Sequence, residues 1–520
     1  VSLSQTPDEI EPDEPQARTS SVNGSLRQTT ARGVVWSLAS FGGQAVLQIV
    51  ALSALGRLLT PAQVALFAAA TLVVGFAIVI GQFGVAAAVV QKPKLSTRET
   101  GAAFLVAILA SVVLSAIISM LVPLLGPLLG IAGNTNALRL LLVVVILTGV
   151  GAVPLGLLQR SLRFRVIAAV DILAYLVGAV GLSILLALLG FGAYSLVWGQ
   201  IVTVTVQSVG YLILCKAHPR LGSPKKVAAH SRELMRFGLP YSVGLLGNWI
   251  ALNGDNFIVA TTLSAPSLGL YSRAYQLLSA SANLIGGVAD RVLFPAMSAV
   301  QDDKERLTRA YVTSASVVAM VTIPASIALF ASAPDLVHVL LGDNWNGVIF
   351  PLQVFAVILL PRASYRISGS FTRALGAVRG NAWRQWLYAG EVVVFCLIGS
   401  RWGIDGVAIG AAAAMVSNFF AMIQFSSQVA NGLWRKTARS YLRYIPLAFC
   451  CSAIAVATLF LIADLHIPFV RLLIIIIVVL GTAAVVVGIG RSRFTDELSL
   501  VRSVANRRGG KPQAPVDSPL

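Results

Sequence analysis

Charge is what this sequence has least of: 12% of its 520 residues are Asp, Glu, Lys or Arg, against 57% that are hydrophobic, and the mean hydropathy is +0.82. That balance excludes a soluble globular chain, which cannot hide so much apolar sequence, and the apolar runs of helix-spanning length point to a polytopic α-helical membrane protein. Acids are scarcer still, 21 against 39 basic residues. The resulting charge of +18 would suggest nucleic acid in a soluble chain, but here the basic residues sit in short segments between apolar runs, so they report topology and no nucleic-acid partner is expected. The cysteines Cys215, Cys396, Cys450 and Cys451 lie in or beside apolar runs and have no metal-ligand spacing. The histidines His218, His230, His338 and His466 are scattered, and no GxxxxGK[ST] occurs. Neither metal, cofactor nor catalytic residue is expected, and the chain reads as something other than an enzyme.

The apolar runs amount to about 14 transmembrane helices, at about 20 residues each. They organise as a disordered, acidic cytosolic N-terminal tail over 1–32, a first six-helix bundle over 33–215 and a basic cytosolic linker over 216–236. A second six-helix bundle over 237–428, a C-terminal helix pair over 429–490 and a cytosolic tail over 491–520 follow. The basic clusters Lys92, Lys94 and Arg98, then Arg160, Arg163 and Arg165, then Lys216 to Arg236, then Arg435, Lys436 and Arg439 all fall on one side of this count. A positive-inside bias so regular puts both termini in the cytosol.

The two bundles look like repeats. Leu59 to Phe67 aligns without gaps on Leu263 to Tyr271, and Phe191 to Gly199 matches the pattern of Trp402 to Gly410. Repeats of even helix number share one orientation and are related by an axis along the membrane normal, an arrangement that encloses a central cavity and supports alternating access.

Charges inside the spans are the candidate site. Arg362 and Arg366 inside the run Phe350 to Ser370 and Arg373 at its end fall within roughly 40° of one another, and Arg291 lies deep in the run Tyr275 to Val300. Buried charge at such depth costs about 2.5 kcal/mol or more, so it faces a cavity or a partner. Arginine suits bidentate phosphate contacts, which makes Arg362, Arg366, Arg291 and Arg373 candidates for binding a phosphate-bearing substrate. The acids Glu391, Asp290, Asp255 and Asp171 are candidate ion-coupling groups or charge partners of those arginines. Trp345, Trp383, Trp386, Trp402 and Trp434 are read as interfacial anchors, and Ser332 to Asn346 as an outward loop.

Several phrases carry a family resemblance: Arg32 to Ser37, Gly56 to Pro61, Leu158 to Arg165, and above all Asn253-Gly254-Asp255-Asn256 with Leu270 to Leu277 and Val292 to Ser298. The chain resembles the Wzx-like polysaccharide lipid flippases of the multidrug/oligosaccharidyl-lipid/polysaccharide exporter superfamily, from Arg32 to about Gln428. It departs from them at Gln82, where an acid is frequent, and at Val64-Ala65. The resemblance implies a two-lobed bundle in the bacterial inner membrane that moves undecaprenyl-pyrophosphate-linked oligosaccharide through a cationic cavity. Its partners would be that lipid-linked cargo, membrane lipids and other polysaccharide assembly proteins. Alternatives are a small-molecule or drug exporter of the same superfamily, favouring an acidic cavity, and a membrane polysaccharide polymerase with a long catalytic outward loop.

Overall fold

The computed structural model describes residues 43–81, 84, 85, 89, 92, 96–215, 224–298, 303–375, 377–429, 432–491, 495 and 497; within these, the side chains of 224–229, 233–241, 281, 283–298, 304, 373, 374, 378, 379 and 429 are not described. All regular structure in these segments is helical. The first half holds α1 (Gly43–Leu58), α2 (Pro61–Gly81), α3 (Thr97–Leu128), α4 (Thr135–Arg160), α5 (Phe164–Leu188) and α6 (Ala193–Leu214). The second holds α7 (Pro224–Thr262), α8 (Ala265–Ser298), α9 (Lys304–Leu340), α10 (Ile349–Val357), α11 (Leu359–Ala374), α12 (Val378–Gly399) and α13 (Gly403–Val429). A short amphipathic helix α14 (Leu433–Leu442) then leads to α15 (Ile445–Leu461) and α16 (Pro468–Ile489). Among the described residues, nine helices are long and apolar enough to cross a membrane, or up to ten when the bent pair α10–α11 counts as one span. The protein is therefore a multi-pass membrane protein.

Several elements differ from the sequence expectation. The run Phe350 to Ser370 is not one straight helix: α10 and α11 meet at Ile358 with a 47° bend. Pro361 has no amide hydrogen to return to the Val357 carbonyl, so the helix breaks one turn before it. Ser332 does not open a loop, because α9 continues to Leu340 through Pro324 and Pro334. Proline is tolerated at membrane depth where neighbouring groups satisfy the freed carbonyls. The helix α7 starts at Pro224, inside the basic stretch read as a linker. At the other end of α9, Asp303 caps the helix and the backbone amide of Arg306 holds its carboxyl below the usual range. Glu497, from the C-terminal tail, is buried: it accepts from Ser316 Oγ at 2.6 Å and pairs with Arg443 at 3.5 Å. Gln82 lies outside the described residues.

The aligned stretches adopt matching local geometry. Pro61 and Ala265, equivalent in the alignment, each begin a helix after a two-residue break, and the amides of Val64 and Leu268 bond back to Thr60 and Ser264. Gly192 and Gly403, also equivalent, both take positive φ, +55° and +71°, a conformation glycine adopts without strain. The two corners also touch, since a Cβ at Gly269 would run into the Pro61 carbonyl oxygen. Around that contact the Trp345 indole Nε1 donates to the Gly56 carbonyl at 2.7 Å, and Arg57 donates to the Val339 carbonyl. Trp345 is fully buried, so it joins the two halves and is not the interfacial anchor expected. Elsewhere the halves meet where Trp249 of α7 packs edge-on against Phe76 of α2, and where Glu99 of α3 approaches His230 of α7 at 3.9 Å.

Candidate functional site

Below the joined corners, a cavity of 430 Å³ opens between α1, α2, α5 and α6 on one side and α7 and α8 on the other. Residues from α8 at helical spacing, Ser272, Tyr275, Gln276 and Ser279, form one polar face of it, together with Asn253 and Asn256 from α7. Opposite them stand the largely apolar residues of α1 and α2, with Gln48 and Thr71 the polar exceptions. Tyr175 and Ala179 reach the cavity from a π-helical segment of α5, Tyr175–Leu182, and Ser183 from the α-helical turn that follows it. Single π turns inside α-helices are frequent at functional positions. Close approach of Gly178 and Gly199, where added Cβ atoms would strike Thr203 and Ser183, seats this segment on α6.

Among the described residues, Arg273 is the one charged side chain lining the cavity. It is 6% exposed, donates to Gln276 Oε1 at 2.7 Å and stands 5.9 Å from the Trp345 ring. It forms no ion pair among the described residues, and its Nε is buried without a hydrogen-bond partner. A buried guanidinium without a counter-charge is strongly unfavourable, and an anion in the cavity would offset that cost. Apolarity rises only at Tyr275, so the sequence pattern places Arg273 at an outward helix end; the helix starts at Ala265 and carries Arg273 inside.

Arg362 stands behind this wall and does not line it. Its Nη1 and Nη2 donate to Tyr275 Oη, each at 3.2 Å, and Nη2 donates to Ser279 Oγ at 3.3 Å. Arg366 is half-buried on the same helix and is not among the cavity-lining residues. The side chains of Arg291, Asp290 and Arg373 lie outside the described residues. Glu391 is half-buried, accepts from Ser417 Oγ at 3.0 Å, and keeps Oε2 without a hydrogen-bond partner. Asp255 is fully engaged: Oδ1 accepts from the Asn256 amide and side chain, and Oδ2 from Tyr271 at 2.9 Å. Asp171 accepts from Tyr211 and Gln207, tying α5 to α6 away from the cavity. No group of three or more His, Cys, Asp and Glu side chains that could hold a metal occurs among the described residues.

A helical bundle whose halves enclose a polar cavity is a transporter architecture, and solved structures share it. The Lipid II flippase MurJ, in an inward closed conformation, matches with a TM-score of 0.69 at 14% identity, over 87% of this chain and 99% of that one. An inward-facing multidrug resistance MATE family transporter of the MOP superfamily matches with a TM-score of 0.61 at 17% identity, over 75% of this chain and 96% of that one. The fold is thus MurJ/MATE-like.

The chain belongs to the polysaccharide biosynthesis protein family, whose sequence model matches residues 54–350, and within it the chain is Wzx-like. Similar proteins include the succinoglycan biosynthesis transport protein ExoT of Rhizobium meliloti (strain 1021), 26% identical over 72% of this chain and 80% of that one. The lipopolysaccharide biosynthesis protein WzxC of Escherichia coli (strain K12) is 24% identical over 77% and 82%. An uncharacterized membrane protein in the cps region of Klebsiella pneumoniae is 25% identical over 76% and 83%.

Proposed function

We propose that this protein is a flippase that moves undecaprenyl-pyrophosphate-linked oligosaccharide repeat units from the inner to the outer leaflet of the bacterial inner membrane, for exopolysaccharide, capsule or O-antigen assembly. The observation that carries the reading is Arg273, a buried guanidinium without an acidic partner among the described residues, on the wall of a cavity between the two halves. The pyrophosphate occupies the Arg273 end, the sugars meet the amides of Gln48, Gln200, Asn253 and Asn256, and the lipid tail stays in the bilayer. Arg366, Arg291 and Arg373 are further cations along the two helices that flank this path. Glu391, with its unbonded Oε2, is the acid best suited to ion coupling, ahead of Asp290, Asp255 and Asp171. Both termini are cytosolic, about fourteen helices span the bilayer as two six-helix lobes and a final pair, and the contacts of Gly56 with Trp345 and of Pro61 with Gly269 close the outward side. Parting those contacts while the opposite ends approach gives alternating access. Membrane lipids and other polysaccharide assembly proteins are its partners.

The small-molecule exporter is disfavoured by the wall itself, since no acid lines the cavity among the described residues and Asp255 is already saturated. A polymerase is disfavoured because the stretch expected to hold a long outward loop is helix up to Leu340.

The test is the leaflet distribution of lipid-linked oligosaccharide in cells that lack the protein and any redundant flippase, with and without the wild-type chain restored. Accumulation in the cytosolic leaflet that the wild type relieves supports the reading. Normal distribution in the deleted strain contradicts it.

A further inference from the structure

Arg362 and Tyr275 together do something neither does alone. A phenolic oxygen has two acceptor sites and one proton. Both guanidinium Nη atoms of Arg362 donate to Tyr275 Oη at 3.2 Å, and Cζ lies 4.9 Å from the Tyr275 ring centre. With its acceptor sites filled from behind, the hydroxyl can only donate. No acceptor for that proton is found among the described residues, and Tyr275 faces the cavity. Ser279, one turn further along α8, accepts from Arg362 Nη2 at 3.3 Å and lines the cavity; its own proton has no acceptor among the described residues, and its second lone pair stays open. Arg362 is 5% exposed, forms no direct ion pair among the described residues, and keeps a buried Nε without a partner; Asp255 lies within electrostatic reach of it without touching it.

We infer that Arg362 is a positioning residue that fixes the Tyr275 hydroxyl as a donor into the cavity, with Tyr275, aided by Ser279, as the group that selects acceptor-rich phosphoryl oxygens over hydroxyl or neutral head groups. The inference rests on the flippase reading and adds to it a specificity determinant beyond Arg273. Its chemistry is one-sided at Tyr275: an alcohol finds no acceptor there for its own proton and offers only a neutral oxygen in return, whereas a pyrophosphate, which only accepts when ionised, matches that hydroxyl and the Arg273 guanidinium beside it. Hydrogen bonds from a polarised hydroxyl to an anion are stronger than neutral ones.

The experiment uses the full chain in lipid nanodiscs and three soluble probes, farnesyl pyrophosphate, farnesyl monophosphate and farnesol, with Kd measured for wild type, Tyr275→Phe, Ser279→Ala, Arg362→Gln, the double variant Arg362→Gln/Tyr275→Phe, and Arg273→Gln. Tyr275→Phe and Arg362→Gln are each expected to weaken farnesyl pyrophosphate by about tenfold, with farnesol unchanged, so that selectivity between the two collapses. The double variant is expected to bind about as Tyr275→Phe does, because Arg362 acts on the probe through the Tyr275 hydroxyl. A merely structural Arg362 would weaken all three probes alike, and that result overturns the inference. Should Arg362→Gln fail to fold, Tyr275→Phe and Ser279→Ala decide it: wild-type selectivity in both overturns it. Loss of pyrophosphate binding in Arg273→Gln alongside wild-type binding in Tyr275→Phe sinks this inference and leaves the flippase reading standing. Unchanged binding in Arg273→Gln, Tyr275→Phe and Arg362→Gln alike contradicts both.

Discussion

The two walls of the cavity come from equivalent positions of an internal repeat and have opposite chemistry. In the alignment that equates Pro61 with Ala265, Ala68 faces Ser272, Thr71 faces Tyr275 and Leu72 faces Gln276, and all six line the cavity. Ala69, fully buried, is the counterpart of Arg273. The helices start in register and present the same face inward, so the repeat supplies the shape. The substitutions set the chemistry: one wall keeps mainly apolar groups, and the other gathers an arginine, a tyrosine, serines and amides. An amphipathic cargo with a charged head group suits such a pair of walls, since the head finds donors on α8 without facing a second charged surface across the gap.

The comparison is breakable by moving chemistry from one wall to the other. Ala69→Arg carries the charge to the first wall, where the side chain is fully enclosed and no counter-charge lies on α2. An unpaired buried charge of this kind costs about 3 kcal/mol or more, so the variant is expected to be lost from the membrane fraction by immunoblot. Gly269→Ala tests the seam above the walls, because a Cβ there collides with the Pro61 backbone, which cannot rotate away as a side chain could. A loss of about 2 kcal/mol is expected, read as a lowered unfolding temperature of the purified protein. Trp345→Phe keeps the ring but leaves the buried Gly56 carbonyl without its donor, for a loss of about 1 kcal/mol and increased labelling of a cysteine placed at Leu55 by an impermeant outward thiol reagent. Ala68→Ser, which makes the first wall resemble the second at an accessible position, is expected to change stability by less than about 0.5 kcal/mol and leave transport intact.

Much of this was legible in the sequence because it depends on local pattern. The equivalence of the Pro61 and Ala265 corners and of the glycines at 192 and 403 was marked by the aligned stretches, and the phrase Asn253 to Asn256 that supplies two cavity residues was marked by the family resemblance. What was not legible depends on where a helix begins relative to a neighbour. Arg273 was assigned to a membrane edge because apolarity rises only at Tyr275, although the helix starts eight residues before Arg273. Arg362 carried the depth signal of a cavity arginine, but charge at depth does not distinguish a residue on a wall from one that buttresses it through Tyr275 and Ser279. Trp345 had the flanking position of an interfacial anchor, and only the approach of Gly56 from the other half makes it a strut. The break at Ile358 was hidden because Phe350 to Ser370 has the length of a single span, and proline in membrane helices kinks or passes according to its neighbours.

The most direct measurement is the leaflet distribution of lipid-linked oligosaccharide in flippase-deficient cells carrying Arg273→Gln, at membrane levels equal to the wild type. The account predicts that the oligosaccharide stays in the cytosolic leaflet, as in the uncomplemented strain, while cells carrying Ala68→Ser clear it normally. Wild-type clearance by Arg273→Gln would contradict the claim that the polar wall of the cavity carries the cargo.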